Sequence, residues 1–147
     1  MFNNVLILCV GNICRSPYAE GYLKKNINEN IQVASAGIKA LVDHSAAEEA
    51  QSVSEYYGFD IREHKARQVS ITQLISTDLL LAVNSECIDY LKLNFPFAIG
   101  KAHLLGKWLN NLEIIDPYNK PKDAFEKMAV DINSCMDIWI KKVWRNH

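Results

Sequence analysis

Val5-Leu6-Ile7-Leu8 and the run from Asp78 to Val83 are short stretches dominated by consecutive apolar residues, with no polar alternation across Leu79 to Val83. Such runs suit strands covered on both faces of a parallel sheet. Ile31 to Ala34 and Lys101 to Leu105 read as two further, shorter strands. Between these runs the apolar period lengthens to that of a helix. After Ser16-Pro17 come Ala19, Tyr22, Leu23 and Ile27; Ala46, Ala50, Val53 and Tyr57 stripe a helix from Ser45 to Tyr57 that Gly58 stops. Ser16 is the expected N-cap and Pro17 the expected first helical residue. Short helices follow over 69–75 and 85–93. Phe125, Met128, Ile132, Cys135, Met136, Trp139 and Val143 then mark a long amphipathic helix over 122–144. Alternating strands and helices predict one three-layer α/β domain spanning 1–147, with a central four-stranded parallel sheet and helices on both faces. Ligands in such folds sit at the carboxyl ends of the strands, near the point where strand order reverses. The loop at Cys9, directly after the first strand, is therefore the place to look for chemistry.

Composition narrows the picture. Of the 147 residues, 49% are hydrophobic and 22% charged, an ordinary mix for a folded chain. The formal net charge is −1 and the pI is near 6.4, which offers no electrostatic footprint for nucleic acid or an anionic membrane. The apolar run Val5 to Val10 is too short to span a bilayer and no leader pattern precedes it, so membrane insertion is not expected and a cytoplasmic location is. Cys9, Cys14, Cys87 and Cys135 form no CxxC pair and are too few for a disulfide scaffold.

Cys9-Val10-Gly11-Asn12-Ile13-Cys14-Arg15-Ser16 places a cysteine and an arginine with five residues between them, around a turn that leads into a helix. A loop of this length can curl so that successive backbone N–H groups face inward, and the following helix adds its positive end. The result is an anion site of phosphate size formed by Val10, Gly11, Asn12, Ile13, Cys14, Arg15 and Ser16. Arg15 can hold two phosphate oxygens with its planar fork, and the same field favours the nucleophilic thiolate of Cys9. The alternative for these residues alone is a buried strand-end cysteine.

The run Val-Cys-x-Gly-Asn-x-Cys-Arg-Ser-Pro resembles the signature of the low-molecular-weight protein tyrosine phosphatases. Met1-Phe2-Asn3-Asn4 is similar to the bacterial branch associated with capsule and exopolysaccharide export. Ser35-Ala36-Gly37, His64 to Gln68 and Asp116-Pro117-Tyr118 also have counterparts in order. The resemblance implies hydrolysis of phosphotyrosine through a phosphocysteine, with Cys9 as nucleophile, Arg15 holding the phosphoryl group and Asp116 as general acid. It makes Asn12, Ser16, Ser35 and His64 supports of the loop, although a turn asparagine, a strand-end serine and a satisfied histidine would look the same. Leu41, His44 and Tyr118 become walls of a phosphotyrosine cleft. It further implies a reversible Cys9–Cys14 disulfide, no cofactor or metal, a mostly monomeric chain, and a tyrosine autokinase as phosphotyrosine partner. At Val83-Asn84-Ser85 the chain departs from the family's more usual methionine and acidic residue.

Other readings remain. An arsenate reductase of the same fold needs two further mid-chain cysteines, and only Cys87 lies there. A non-catalytic phosphotyrosine-binding module would share the loop but need no acid. Zinc on Cys9 and Cys14 lacks a ligand-spaced histidine pair and would meet Arg15. Cys87 and Cys135, on helical segments, read as inert buried thiols.

Overall fold

The computed structural model describes residues 2–145; Met1, the first of the opening residues that resemble the bacterial branch, lies outside them, as do residues 146–147. Four parallel strands, β1 (Asn4–Cys9), β2 (Gln32–Gly37), β3 (Leu79–Ala82) and β4 (Ala102–Leu104), form a sheet in the order β2-β1-β3-β4. The helices are α1 (Arg15–Asn26), α2 (Glu48–Tyr56), α3 (Ile71–Ser76), α4 (Ser85–Asn94) and α5 (Lys122–Trp139). A 3₁₀ turn over Pro96–Lys101 leads into β4, and a wider π turn over Ile140–Trp144 extends α5.

The two apolar runs became the two central strands. Leu6, Ile7 and Leu8 of β1 and Leu79, Leu80 and Leu81 of β3 are buried. Each such side chain contributes about 1.5–3 kcal/mol of burial, which makes this pair the most expensive part of the sheet to disturb. The connection from β1 to β2 leaves the centre in one direction and that from β3 to β4 in the other. Right-handed crossovers therefore carry α1 and α4 to opposite faces. α5 returns against α1 and α2, while α3 packs on β1 and α4 on β3 and β4. The Tyr18 hydroxyl donates to Asn133 Oδ1 at 2.8 Å and the Tyr22 hydroxyl to Asp137 Oδ1 at 2.6 Å, fixing how α1 lies on α5. The strand order reverses between β1 and β3, so Cys9 ends its strand beside that crevice.

Three of the boundaries that differ from the expected pattern lie next to the loop after β1. β2 runs on through Ser35-Ala36-Gly37, whose small residues carry little strand propensity of their own, because the ladder with β1 continues to Cys9↔Gly37. α2 starts at Glu48 instead of Ser45: the Ala47 backbone is extended and its N–H donates to the Ile13 carbonyl at 2.8 Å. α1 starts one residue before Ser16, and Ser16 is not its cap. The cap position is Cys14, with no side-chain capping bond, and Pro17 falls third in the helix, where its missing N–H belongs to the first turn and has no intrahelical partner to lose.

Candidate active site

The loop after β1 is shaped from outside. Its carbonyls are engaged in turn by surrounding groups. Cys9 O accepts from Ile38 N at 3.0 Å, Val10 O from Lys39 N at 2.9 Å, Gly11 O from Leu41 N at 3.0 Å, and Ile13 O from Ala47 N at 2.8 Å. Asn12 O lies 2.7 Å from His64 Nε2, and Cys14 O accepts from Tyr18 N at 3.2 Å. In a trans peptide the N–H points opposite to the carbonyl, so turning six carbonyls outward turns the N–H groups of residues 10–15 toward the interior of the curl. One of them is satisfied by sulfur itself: Asn12 N–H donates to Cys9 Sγ at 3.2 Å. The open N-terminus of α1 adds its positive end to the same place.

Asn12 holds the curl. It is the left-handed residue of the loop, at φ 60°, a conformation that asparagine adopts at small cost. The Arg67 backbone N–H donates to its Oδ1 at 2.9 Å, which fixes the amide so that Nδ2 donates to Ser16 Oγ at 2.7 Å and to Ser35 Oγ at 3.0 Å. Ser35 in turn donates to Glu20 Oε1 at 2.6 Å. Asn12, Ser16 and Ser35 are buried, and no buried side-chain nitrogen or oxygen among the described residues lacks a partner. Ser16 Oγ also lies 2.8 Å from Cys9 Sγ. Burial pushes the His64 ring below the ordinary histidine range, partly countered by its bond to the Asn12 carbonyl. A neutral ring that meets a carbonyl with Nε2 carries its proton there, so Nε2–H donates.

Across the loop, Arg15 is buried, donates from Nη1 to Ile114 O at 3.0 Å, and has Nη2 3.8 Å from Asp116 Oδ2. Asp116 Oδ1 accepts from Tyr118 N–H at 3.1 Å, a turn-forming bond that leaves the carboxylate half exposed over the cleft. The segment bearing it is anchored where Ile114 N–H donates to Val83 O at 3.0 Å and Ser85 N–H to Glu113 Oε1 at 2.7 Å. Val83-Asn84-Ser85 thus helps position the loop that bears Asp116, and Asn84 caps α4 by accepting from Cys87 N–H at 3.1 Å.

These groups line a cleft of about 210 Å³, bounded by loop residues 9–15, Lys39, Leu41, Asp116 and Tyr118. Leu41 and Tyr118 stand on its wall. His44 does not line it: its N–H donates to Leu41 O at 3.0 Å and its carbonyl accepts from Ala66 N at 2.9 Å, closing a turn that leaves the residue exposed elsewhere. Sequence reasoning missed Glu20, whose position one turn after Ser16 on α1 is a readable signal, and Lys39, which has none in the sequence. It also missed the carbonyl-turning N–H groups of Ile38 and Ala47. Burial and the nearby Asp116 push the Cys14 thiol up to about 12. Burial pushes Cys87 to about 12 and Cys135 to about 11, as befits inert thiols.

The structure is that of an α/β protein with a doubly wound parallel sheet, in which the loop after β1 turns its N–H groups inward around a thiol at the strand's C-terminal end. Its family is shown by comparison: the pattern of the low molecular weight phosphotyrosine protein phosphatases matches residues 4–147, and the chain belongs to that family, as a protein tyrosine phosphatase. It is 38% identical over 145 residues to the probable low molecular weight protein-tyrosine-phosphatase AmsI of Erwinia amylovora, covering 99% of this chain and 100% of that one. The structure of Vibrio vulnificus Wzb in complex with benzylphosphonate superposes with a TM-score of 0.94 at 35% identity, covering 97% of this chain and 100% of that one. The tyrosine phosphatase Wzb from Escherichia coli K30 in complex with sulphate gives 0.93 at 34% identity, with 97% and 99% covered.

Proposed function

We propose that residues 1–147 work as one phosphotyrosine phosphatase domain whose reaction passes through a phosphocysteine on Cys9. The observation that carries this reading is the outward turning of the loop carbonyls around Cys9, with Asp116 facing the same cleft. The Cys9 thiolate attacks phosphorus in line, forming the S–P bond as the P–O bond to the tyrosine ring breaks. The inward N–H groups and Arg15 hold the equatorial oxygens, where charge develops. Asp116 gives its proton to the departing phenolate, whose conjugate acid has a pKa near ~10 and which leaves poorly as an anion. Water then attacks phosphorus, Asp116 takes its proton, and the thiolate leaves with phosphate released. Ser16, hydrogen-bonded to the sulfur, eases that departure. Every catalytic group here is an amino-acid side chain or backbone amide, so neither metal nor cofactor has a step to perform.

Leu41 and Tyr118 form the walls against an aromatic leaving group, and the benzylphosphonate held by the Vibrio vulnificus relative supports an aryl phosphoryl ligand. The physiological partner in this reading is a phosphotyrosine protein, namely a tyrosine autokinase of capsule or exopolysaccharide export, met in the cytoplasm by a monomeric enzyme. The bacterial-branch opening residues and the similarity to AmsI and Wzb support it. No helix among the described residues is long and apolar enough to cross a membrane.

The test is phosphate release from phosphotyrosine and phosphoserine peptides in the presence of a chelator. Tyrosine-preferring turnover that survives the chelator supports the reading. Phosphopeptide binding without turnover would instead make the chain a binding module, and arsenate-dependent thiol oxidation would make it a reductase.

A further inference from the structure

Two cations line the cleft among the described residues, Arg15 and Lys39, and they are held in opposite ways. Arg15 is buried beneath the loop with its guanidinium committed to Ile114 O and facing Asp116. Lys39 is fixed through its backbone. Its N–H donates to Val10 O at 2.9 Å, between the bonds of Ile38 to Cys9 O and of Leu41 to Gly11 O, so residues 38–41 run along the loop and are pinned to it at three points. Its side chain is exposed, and it takes part in none of the ion pairs found among the described residues. The carboxylate that shares its cleft, Asp116, is already engaged by Arg15 and by Tyr118 N–H. The lining of the cleft thus includes an exposed lysine whose backbone is held on the loop and whose charge is in none of the ion pairs found among the described residues.

A phosphotyrosine inserted with its ring against Leu41 and Tyr118 leaves the rest of its peptide at the mouth of this cleft. We propose that Lys39 is a specificity-determining residue that pairs with an acidic side chain flanking the phosphotyrosine of the protein substrate. The inference rests on the phosphotyrosine reading above and deepens it. A lysine ammonium is a compact charge on a flexible stem, with no fixed fork to satisfy, so it accepts aspartate or glutamate on either side of the phosphotyrosine. The pair forms away from the reacting atoms and is equally present in the bound substrate and in the transition state. It therefore acts on KM and leaves kcat alone. Its scale is that of a solvent-exposed ion pair, about two- to fivefold in kcat/KM, fading as salt screens it.

The experiment uses two phosphotyrosine peptides that differ only in carrying glutamate or lysine beside the phosphotyrosine, with wild type, Lys39→Met and Lys39→Glu compared at low and high salt. The readout is the ratio of kcat/KM for the acidic over the basic peptide, which cancels any effect a variant has on both. The expected ratio is highest in wild type, falls about two- to fivefold in Lys39→Met, falls further in Lys39→Glu, and differs through KM. The differences shrink at high salt. A ratio that is the same in all three proteins, or that moves through kcat alone, overturns the Lys39 inference while leaving the phosphatase reading intact. Absence of turnover of either peptide by wild type overturns the phosphatase reading, and Lys39's role falls with it.

Discussion

Ser16 Oγ stands 2.8 Å from Cys9 Sγ while accepting from Asn12 Nδ2 at 2.7 Å. Because the Arg67 N–H fixes the orientation of that amide, the Ser16 proton is left to point at sulfur. A chain of donors thus runs from the Arg67 backbone through Asn12 and Ser16 to Cys9 Sγ.

Ser16→Ala removes the last donor of this chain. A hydrogen bond to a charged group is worth about 1.5–3 kcal/mol, so kcat should fall about ten- to a hundredfold. The sulfur is a leaving group in the second step, so pre-steady-state kinetics should show a burst of tyrosine release followed by slow phosphate release. Unchanged kcat in Ser16→Ala would contradict the assignment.

Gly37→Ala tests the shaping of the loop from outside. A Cβ there would lie 2.5 Å from Val10 O and 3.2 Å from Ala40 Cα, both of them backbone atoms that cannot swing aside. Chemical denaturation should report a loss of about 1–3 kcal/mol, the usual cost of overpacking. Activity should fall by more than the unfolded fraction explains, because the carbonyl displaced is one that orients the cradle. Wild-type stability and activity in this variant would refute the argument.

How much of this was legible in the sequence depends on what fixed each feature. The uninterrupted runs of β1 and β3 carry their own signal, and the Cys9 to Arg15 spacing gains one from the strand before it, Gly11-Asn12 within it and Ser16-Pro17 after it, so the parallel sheet and the loop were readable. Ser16 misleads, because a serine before a proline at a helix start reads as a cap until tertiary contact offers it Cys9 Sγ instead. The last three residues of β2 are decided by the ladder with β1 and the start of α2 by the Ala47 bond to Ile13 O of the loop, which no local propensity announces. His44 and Lys39 are both polar residues in the stretch after Gly37. Only the backbone path, pinned at 38–41, determines that the lysine reaches the cleft and the histidine does not.

The pH dependence of stability should carry a His64 component. Burial depresses its pKa in the folded chain, with the bond to Asn12 O opposing. A depressed histidine binds its proton more weakly folded than unfolded, so the stability it confers is full above about pH 6.5, the unfolded value. That stability is lost as pH falls through the lower folded value. Denaturation curves between about pH 8 and pH 5 should therefore converge for wild type and His64→Gln as pH falls. Parallel curves would show that His64 is not titrating against the fold.

Thiol labelling separates the four cysteines. All four thiols are buried; burial pushes Cys14 and Cys87 up to about 12 and Cys135 to about 11, so these three stay protonated at neutral pH, whereas Cys9 Sγ accepts from Asn12 N–H and lies 2.8 Å from Ser16 Oγ in the lining of the cleft. Brief treatment of the native chain with iodoacetate should modify Cys9 alone, and inorganic phosphate in the cradle should protect it. Peptide mapping by mass spectrometry reads the outcome; modification of Cys14 first would contradict the division of roles.

The central claim is that phosphorus passes through sulfur at Cys9. Its most direct test is rapid acid quenching of the Ser16→Ala protein during turnover of a phosphotyrosine peptide, followed by mapping of the phosphoryl adduct. The account predicts a phosphocysteine confined to Cys9, formed as fast as tyrosine is released and absent from Cys9→Ser. Steady turnover by Cys9→Ser, or a phosphoryl group mapped to any other residue, would contradict it.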